Sequence, residues 1–247
     1  AAQEFVRPLT FAALSGEKWR MDVFRSHGKI YEASAAAMFK LDVQTLLDYP
    51  KANGGSKHPL RQKGKVAELA LQYLGWIGAL REMGGLTGTD DELRDLCIAW
   101  RNASPNIVYL GGGQFLGRGY NRTPYLHGLE GMAISAVQNP GVEYPVARMD
   151  GTQSGLSFQC YKDVLYLTLP SGRRIAYHRP RLHPHNDAWR GLSLTYEGYN
   201  TNPKTGPTGW LTMQTYAGKL LENACQAVAN DILRFGQVNL EHCGYPL

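Results

Sequence analysis

The spacing of apolar residues in this 247-residue chain changes near its middle, and this change restricts the folds that the chain can adopt. From about residue 27 to 138, apolar residues recur mostly at helical spacing. From about 142 to 197, short β-rich runs alternate with turn formers, and the last stretch returns to a helical pattern. Because helices and strands occupy separate parts of the chain, we predict an α+β fold.

The helical parts contain recognisable starts and stops. Thr89 and Asp90 form an N-terminal cap signal, and Gly84-Gly85 is a C-terminal stop signal. The pattern predicts helices over residues 29–40, 60–82, 91–103, 124–138 and 214–235. The last helix has a clear apolar stripe, and its predicted buried side consists of Leu220, Leu221, Ala224, Val228, Ile232 and Phe235.

The β-rich part reads as a meander of consecutive strands. Leu156, Phe158 and Cys160 alternate with polar neighbours, and further β-rich runs follow at 164–169 and 175–177. Residues 191–197 predict a fourth strand, and 199–209 has the turn-forming composition of an exposed loop. We therefore expect a small antiparallel sheet.

Composition excludes some classes of protein. No apolar run approaches the roughly 18 residues of a membrane helix, and Glu4 and Arg7 interrupt any N-terminal apolar stretch. We therefore expect no membrane association. The four cysteines lie far apart, which favours a reducing, cytoplasmic compartment. The net charge of +5 permits a polyanionic partner without requiring one.

One predicted helix carries a chemically suggestive pattern. Arg61, Lys65 and Tyr73 are separated by four and eight residues, so on a helix they follow one slowly turning stripe with Leu69. Two cations one turn apart suit a triphosphate, and an aromatic ring further along suits a sugar or base. The alternative is a helix with an exposed basic start and Tyr73 in the core.

The segment RQKGKVAELALQYLG (61–75) resembles the fingers helix of family A DNA polymerases, with wording closest to the phage branch. The resemblance implies that Arg61 and Lys65 bind the phosphates of a dNTP, that Lys65 also donates a proton to the leaving pyrophosphate, and that Tyr73 lies at the nascent base pair. Leu74 stands where this family usually has glycine.

Further segments resemble the same family in the same order, namely LSGEKWRMDVF, GKIYEASAAAMF, TLPSGRR and TYAGKLLENACQAVANDIL. By this resemblance Arg173, Arg174 and Gln226 contact primer-template DNA. For Arg173 and Arg174 a charged hairpin strand is the alternative interpretation. Collinear agreement of five segments is more specific than any one of them.

The resemblance implies a helical fingers subdomain inserted in an incomplete palm. The expected layout is a partial palm (1–26), helical fingers (27–141), a β-rich insertion (142–213), and a palm helix with the start of the next strand (214–247). The implied function is template-directed DNA synthesis, in a host cytoplasm if the chain is phage-encoded. A sheet that lacks a palm strand has an open edge, so we also expect partner polymerase chains, dimerisation or aggregation.

Polymerisation of this kind requires two divalent metal ions, and we expect Mg²⁺. By the resemblance the first metal aspartate falls at Ala2, with Glu4 the nearest carboxylate, and the second falls after the final residues. We therefore expect no metal ligands in this chain. A split polymerase, an excised fragment and a degenerate homologue all remain open, the last being a non-catalytic DNA- or nucleotide-binding module or assembly subunit.

Two other patterns are weaker. The glycine-rich segment 111–119 lacks the lysine and hydroxyl residues of a phosphate-binding loop, and we interpret it as a flexible loop. His183 and His185 flank a proline without nearby cysteine ligands, and we interpret them as surface residues.

Overall fold

The computed structural model describes residues 2–84, 88–112, 114–116, 119–121, 127–184, 191–203 and 206–245. It contains two compact units. The helical unit comprises Ala1–Tyr109 with Gln114–Asn121, and the sheet unit comprises Leu110–Gly113 with Arg122–Leu247. Helices and a large antiparallel sheet are both present, so the predicted α+β class is confirmed.

The helical unit consists of short helices followed by one hairpin. The helices are α1 (Ala2–Ser15), α2 (Lys18–Arg25), α3 (Ile30–Phe39), α4 (Val43–Ala52), α5 (Pro59–Leu71), α6 (Ile77–Gly84), α7 (Asp90–Ala103) and α8 (Pro105–Gly111). The hairpin pairs β1 (Gln114–Leu116) with β2 (Gly119–Asn121), so the interpretation of this glycine-rich segment as a flexible loop is wrong for these residues. Helix α7 starts as predicted, because Thr89 and Glu92 form a reciprocal capping box.

The predicted long helix over 60–82 is wrong, because the chain breaks between α5 and α6. Leu74 adopts a φ of 61°, a left-handed conformation that glycine accepts far more readily. At Gly75 a Cβ atom would lie 2.2 Å from the carbonyl oxygen of Ala70, so only glycine fits this turn. The Arg101 guanidinium donates to the carbonyls of Leu74 and Gly75 at 3.3 and 3.1 Å, which satisfies groups that a continuous helix would have paired.

Helices α3 and α5 pack very closely. A Cβ atom at Gly64 would lie 2.3 Å from the carbonyl oxygen of Tyr31, and it would also press on Ala35. The alanine-rich sequence of α3 is what permits this approach, since Ala33, Ala35 and Ala36 are all buried. The contact fixes α5 against α3 along the part of α5 that carries the predicted phosphate-binding residues.

A charged pair lies at the centre of the helical unit. Arg20 donates to the Glu68 carboxylate at 2.5 Å, and both side chains are at most 2% exposed. Glu68 also accepts from Ser34 Oγ at 2.6 Å and from Trp100 Nε1 at 2.9 Å, while Arg20 donates to Ser104 Oγ at 2.6 Å. These hydrogen bonds offset much of the cost of burying the two charges.

The sheet unit is built on six antiparallel strands in sequence order. They are β3 (Glu143–Ala147), β4 (Gln153–Tyr161), β5 (Val164–Thr168), β6 (Arg174–Pro184), β7 (Leu192–Asn200) and β8 (Gly209–Thr215), and α9 (Gly128–Gln138) and α10 (Ala217–His242) belong to the same unit. The predicted meander and the fourth strand are confirmed. Strand β8 was not predicted, because 199–209 was interpreted as a loop and the apolar residues after it were assigned to no strand.

Helix α10 has two different halves. Its first half is packed as predicted, with Leu220, Leu221 and Ala224 buried. The predicted burial of its second half is wrong, because Ile232 is 57% and Phe235 is 69% exposed and Val228 is only half-buried. The described elements that cover the first half of α10 do not cover its second half, so the apolar stripe is exposed there.

Candidate nucleotide and nucleic-acid sites

Helix α5 holds Arg61 at its first turn. The side chain of His58 accepts a hydrogen bond from the backbone N–H of Leu60, and Pro59 occupies the first helical position, so the helix starts firmly before Arg61. Arg61 Nε lies 2.7 Å from Glu32 Oε1 on α3, and its guanidinium lies 5.2 Å from the centre of the Tyr31 ring. Helix α3 therefore orients Arg61 and leaves it partly exposed.

Lys65 follows one helical turn after Arg61 and is half-buried. It forms no ion pair within the described part of the chain. Its neighbour Lys63 is exposed, and its ammonium lies 5.8 Å from the centre of the Phe39 ring. Arg61 and Lys65 thus form a pair of cations on one helix, and the second of them has no carboxylate to neutralise it among the described residues.

Tyr73 does not continue this helical stripe, because α5 ends at Leu71. It lies in the turn between α5 and α6, and its ring packs edge-to-face on Phe11 with 5.3 Å between ring centres. The prediction that Arg61, Lys65 and Tyr73 share one helix is therefore wrong for Tyr73. Its proposed place beside a base stays a prediction.

Glu32 and Tyr31 were missed in the sequence, although they contact Arg61 directly. They precede Arg61 by about thirty positions and belong to another helix. The sequence contained a weak signal for them, because both fall in the segment GKIYEASAAAMF that resembles the polymerase family.

In the sheet unit, Arg173 links the turn between β5 and β6 to α10. Its Nε lies 2.7 Å from Asp231 Oδ1, and one of its terminal nitrogens donates to the carbonyl of Ala227 at 2.9 Å. Ser171 Oγ donates to the other oxygen of Asp231 at 2.6 Å. On the same helix Gln226 donates to Glu222 at 2.9 Å.

Arg174 points to a different neighbour. Its guanidinium lies 5.7 Å from the centre of the Tyr166 ring, and its side chain is exposed. Arg173, Arg174 and Gln226 therefore belong to one unit, where Arg173 contacts α10 at Ala227 and Asp231, and Gln226 contacts Glu222 on that helix. Their contact with DNA stays a prediction.

Among the described residues, no three His, Cys, Asp or Glu side chains cluster in a way that could hold a metal ion. These residues therefore do not fit the Mg²⁺ that the resemblance implies. The side chain of Glu4 and the whole of His185 lie outside the described residues. His183 is exposed and lies 3.1 Å from the hydroxyl of Thr195.

Burial sets the chemistry of two cysteines. It raises the pKa of the Cys97 thiol to about 11 and raises the pKa of the Cys225 thiol well above its usual range. The thiolate is the nucleophilic form, so neither cysteine is suited to nucleophilic catalysis near neutral pH. No helix among the described residues has the length and apolar character of a membrane span.

Comparisons with known proteins give one clear relative. The chain is 42% identical over 236 residues to the DNA polymerase of Bacillus phage SP02, and the match covers 95% of this chain and 31% of that polymerase. The chain thus spans about a third of the length of the curated relative. No protein-family model and no solved structure gives a significant match. Nearly the whole of this chain aligns with one part of that polymerase, and the chain is therefore related to a phage DNA polymerase.

Proposed function

We propose that this chain provides the nucleotide-binding part, and part of the DNA-binding surface, of a family A DNA polymerase. In this proposal the helical unit contains the fingers, and α10 is a helix of the palm. The reaction is the transfer of a nucleotide from a dNTP to the 3′ end of a primer on a DNA template. The relation to the phage polymerase supports the reaction class.

The observation that carries the proposal is the geometry of Arg61 and Lys65 on α5. They lie one turn apart, and Lys65 is only half-buried and forms no ion pair with the described residues. A planar guanidinium and a compact ammonium at this spacing bind phosphate oxygens in complementary ways. Arg61 is already held in place by Glu32, so an incoming triphosphate would find it oriented.

Lys65 is proposed to act twice. Its ammonium binds the phosphates of the dNTP, and it then donates a proton to the pyrophosphate as the bond to the α-phosphate breaks. Divalent metal ions would supply activation of the primer hydroxyl and charge neutralisation, and we place their ligands outside the described residues.

In the sheet unit, Arg173, Arg174 and Gln226 are proposed to bind primer-template DNA. Arg173 is fixed by Asp231 and by the carbonyl of Ala227, so it would meet a DNA phosphate in a defined position. Phosphate contacts of this kind position a protein on DNA without reading its sequence.

The second half of α10 is proposed to pack against further polymerase sequence. Ile232, Leu233 and Phe235 are each more than half exposed, which forms an apolar surface of the kind that marks protein contacts. We expect self-association of the chain in light scattering, reduced in the double variant Ile232→Ser, Phe235→Ser. A monodisperse monomer at high concentration would contradict this expectation.

The experiment that tests the function is primer extension with Mg²⁺ or Mn²⁺. It compares this chain alone with the chain supplemented by the segments that flank the matching region in the phage relative. We expect extension only in the supplemented reaction, and its loss in Lys65→Ala. Lys63→Ala is the matched control, because it removes an exposed lysine from the same helix.

Extension that survives in Lys65→Ala would refute the assigned role of Lys65. Extension by the chain alone would show that its own carboxylates hold the metal ions. DNA binding without extension in either mixture would favour a non-catalytic binding module.

A further inference from the structure

The two faces of the six-stranded sheet differ in chemistry. One face is apolar and buried, with Phe158, Leu165, Leu167 and Leu194 each at most 1% exposed. Because side chains alternate along a strand, the residues between these point to the opposite face. The cross-strand pairs give this outer face the residues Tyr161, Val164, Tyr166, Arg174, His178, Glu197, Tyr199 and Trp210.

The outer face exposes three aromatic rings. Trp210 is 64%, Tyr199 is 56% and Tyr161 is 53% exposed. Trp210 makes edge-to-face contacts with Tyr199 and with His178, at 6.1 and 6.2 Å between ring centres. These contacts hold the tryptophan in place and leave most of its surface open.

Cations surround these rings. Four basic residues lie on or beside the outer face, namely Lys162, Arg174, Arg179 and Arg181. The described acidic residues near Trp210 are Asp163 and Glu197. Arg179 pairs with Glu197 at 2.7 Å, and Arg181 pairs with Asp163 at 2.7 Å. Both pairs are largely exposed, so a phosphate can compete for these arginines at little cost. Lys162 and Arg174 pair with no described carboxylate and contact the rings of Tyr161 and Tyr166.

A cleft runs beside Trp210 on this face. Its volume is about 600 Å³, and it is lined by Lys162, Asp163, His178, Arg179, Glu197 and Trp210. Lys162 and Asp163 form the turn between β4 and β5 and have φ angles of 47° and 61°, so a tight turn forms one wall. One indole ring, one imidazole, two cations and two carboxylates therefore line a single concave space.

We propose that the outer face of the sheet, centred on Trp210 and Tyr199, binds single-stranded DNA. Exposed aromatic rings stack on bases, and neighbouring cations bind the phosphates that follow the bases along the strand. Duplex DNA fits this surface poorly, because its bases are stacked on each other and cannot reach a ring. The surface itself is argued from its own residues, and only the choice of DNA as the nucleic acid rests on the proposed function.

The test measures fluorescence anisotropy of a labelled oligo-dT strand with the full chain, and the substitutions are Trp210→Ala and Tyr199→Ala. We expect Trp210→Ala to weaken affinity about tenfold or more, and Tyr199→Ala to weaken it by several-fold. The matched control is Tyr245→Ala, which removes an aromatic ring of similar exposure (65%) that lies just after α10. For charge, Arg179→Gln is compared with Arg94→Gln, since both arginines are exposed and ion-paired.

Unchanged oligo-dT affinity in Trp210→Ala, or an equal loss in Tyr245→Ala, would overturn the proposal. Tighter binding to a duplex than to the single strand would also overturn it. Binding that weakens with salt, and that falls in Arg179→Gln but not in Arg94→Gln, would support it.

A second readout separates this proposal from the proposed function. dNTP binding is measured in Trp210→Ala, and oligo-dT binding is measured in Lys65→Ala. If Trp210→Ala loses only oligo-dT binding and Lys65→Ala loses only dNTP binding, both proposals are supported. If the chain binds no dNTP but binds oligo-dT through Trp210, only the proposed function fails. If the chain binds dNTP through Lys65 but does not bind oligo-dT through Trp210, only the outer-face proposal fails.

Discussion

The helical unit and the sheet unit differ in the charged groups that they bury. The helical unit buries a salt bridge, Arg20 with Glu68, at its centre and surrounds it with polar side chains. In the interior of the sheet unit, Tyr177, a neutral phenol, accepts from Asn223 Nδ2 at 3.0 Å, and the buried Glu130 carboxylate accepts from the backbone N–H of Ala217 at 3.2 Å. The described ion pairs of this unit are partly or largely exposed. A fully buried ion pair is therefore structural in the helical unit, whereas the described ion pairs of the sheet unit remain at least partly accessible to ligands.

Helix α5 carries one charged residue that stabilises the fold and one that is accessible to a ligand. Glu68 is buried and accepts from three donors, so it is not accessible to a ligand. Lys65 lies three residues earlier, is half-buried and has no ion pair among the described residues. The partners of a charged side chain, rather than its position on a helix, separate a stabilising role from a binding role.

The largest effect on this comparison is expected from Glu68→Ala. It would leave Arg20 buried without its carboxylate, and we expect the free energy of unfolding to fall by about 3–5 kcal/mol. Urea unfolding measures this change. Glu68→Gln should lose less, because an amide can still accept from Ser34 and Trp100.

Asp91→Ala is the surface control for that variant. It removes the carboxylate that pairs with Arg94 on exposed α7, where ion pairs contribute less than about 1 kcal/mol. A loss in Glu68→Ala as small as the loss in Asp91→Ala would contradict a structural role for the buried pair.

The interior of the sheet unit should respond to alkaline pH. Burial raises the pKa of Tyr177 to about 12, above the ordinary value of 10.0. The unfolded chain therefore releases this proton first, and stability falls as pH rises from about 10 to 12, by about 2–3 kcal/mol from this residue. Urea unfolding of the original chain and of Tyr177→Phe tests this. Across that range the original chain should lose stability relative to the variant, which lacks the titrating phenol. A constant difference in stability would contradict the assignment.

The close packing of α3 on α5 predicts a smaller effect. In Gly64→Ala the new methyl group meets the Tyr31 carbonyl at 2.3 Å, and we expect a loss of about 1–3 kcal/mol in thermal or urea unfolding. Gly78→Ala is the matched control on α6, because nothing lies within 4 Å of its Cβ position. That variant should be more stable by up to about 1 kcal/mol. Equal effects in both variants would show that helix propensity, not packing, decides the result.

The sequence predicted elements whose signals are local. The start of α7 follows from Thr89 and Glu92, and the meander follows from alternation between short turns. The break after α5 was missed, because residues 60–82 have helical spacing while the break depends on a tertiary contact, the bonds from Arg101 to the carbonyls of Leu74 and Gly75. Gly75 was the local signal, because glycine inside a helical pattern favours a break.

For the candidate site, the sequence identified the residue types and the structure supplied their partners. Arg61 and Lys65 were proposed from their spacing together with the resemblance to the polymerase family, but the contact of Glu32 with Arg61 depends on α3 packing against α5. The outer aromatic face was missed, since its residues come from separate strands and meet only through register. The exposed half of α10 could not be predicted, because an apolar stripe does not say where its covering element ends.

The most direct test of the central claim is calorimetric titration of the chain with a dNTP, for the original protein, Lys65→Ala and Lys63→Ala, with urea unfolding of the same samples. We expect Lys65→Ala to lose tenfold or more in dNTP affinity, since a charge-assisted phosphate contact contributes roughly 1.5–3 kcal/mol, while its stability changes little. Lys63→Ala should bind as the original chain does. Equal dNTP affinity in all three proteins would contradict the assignment of α5 as the nucleotide-binding helix.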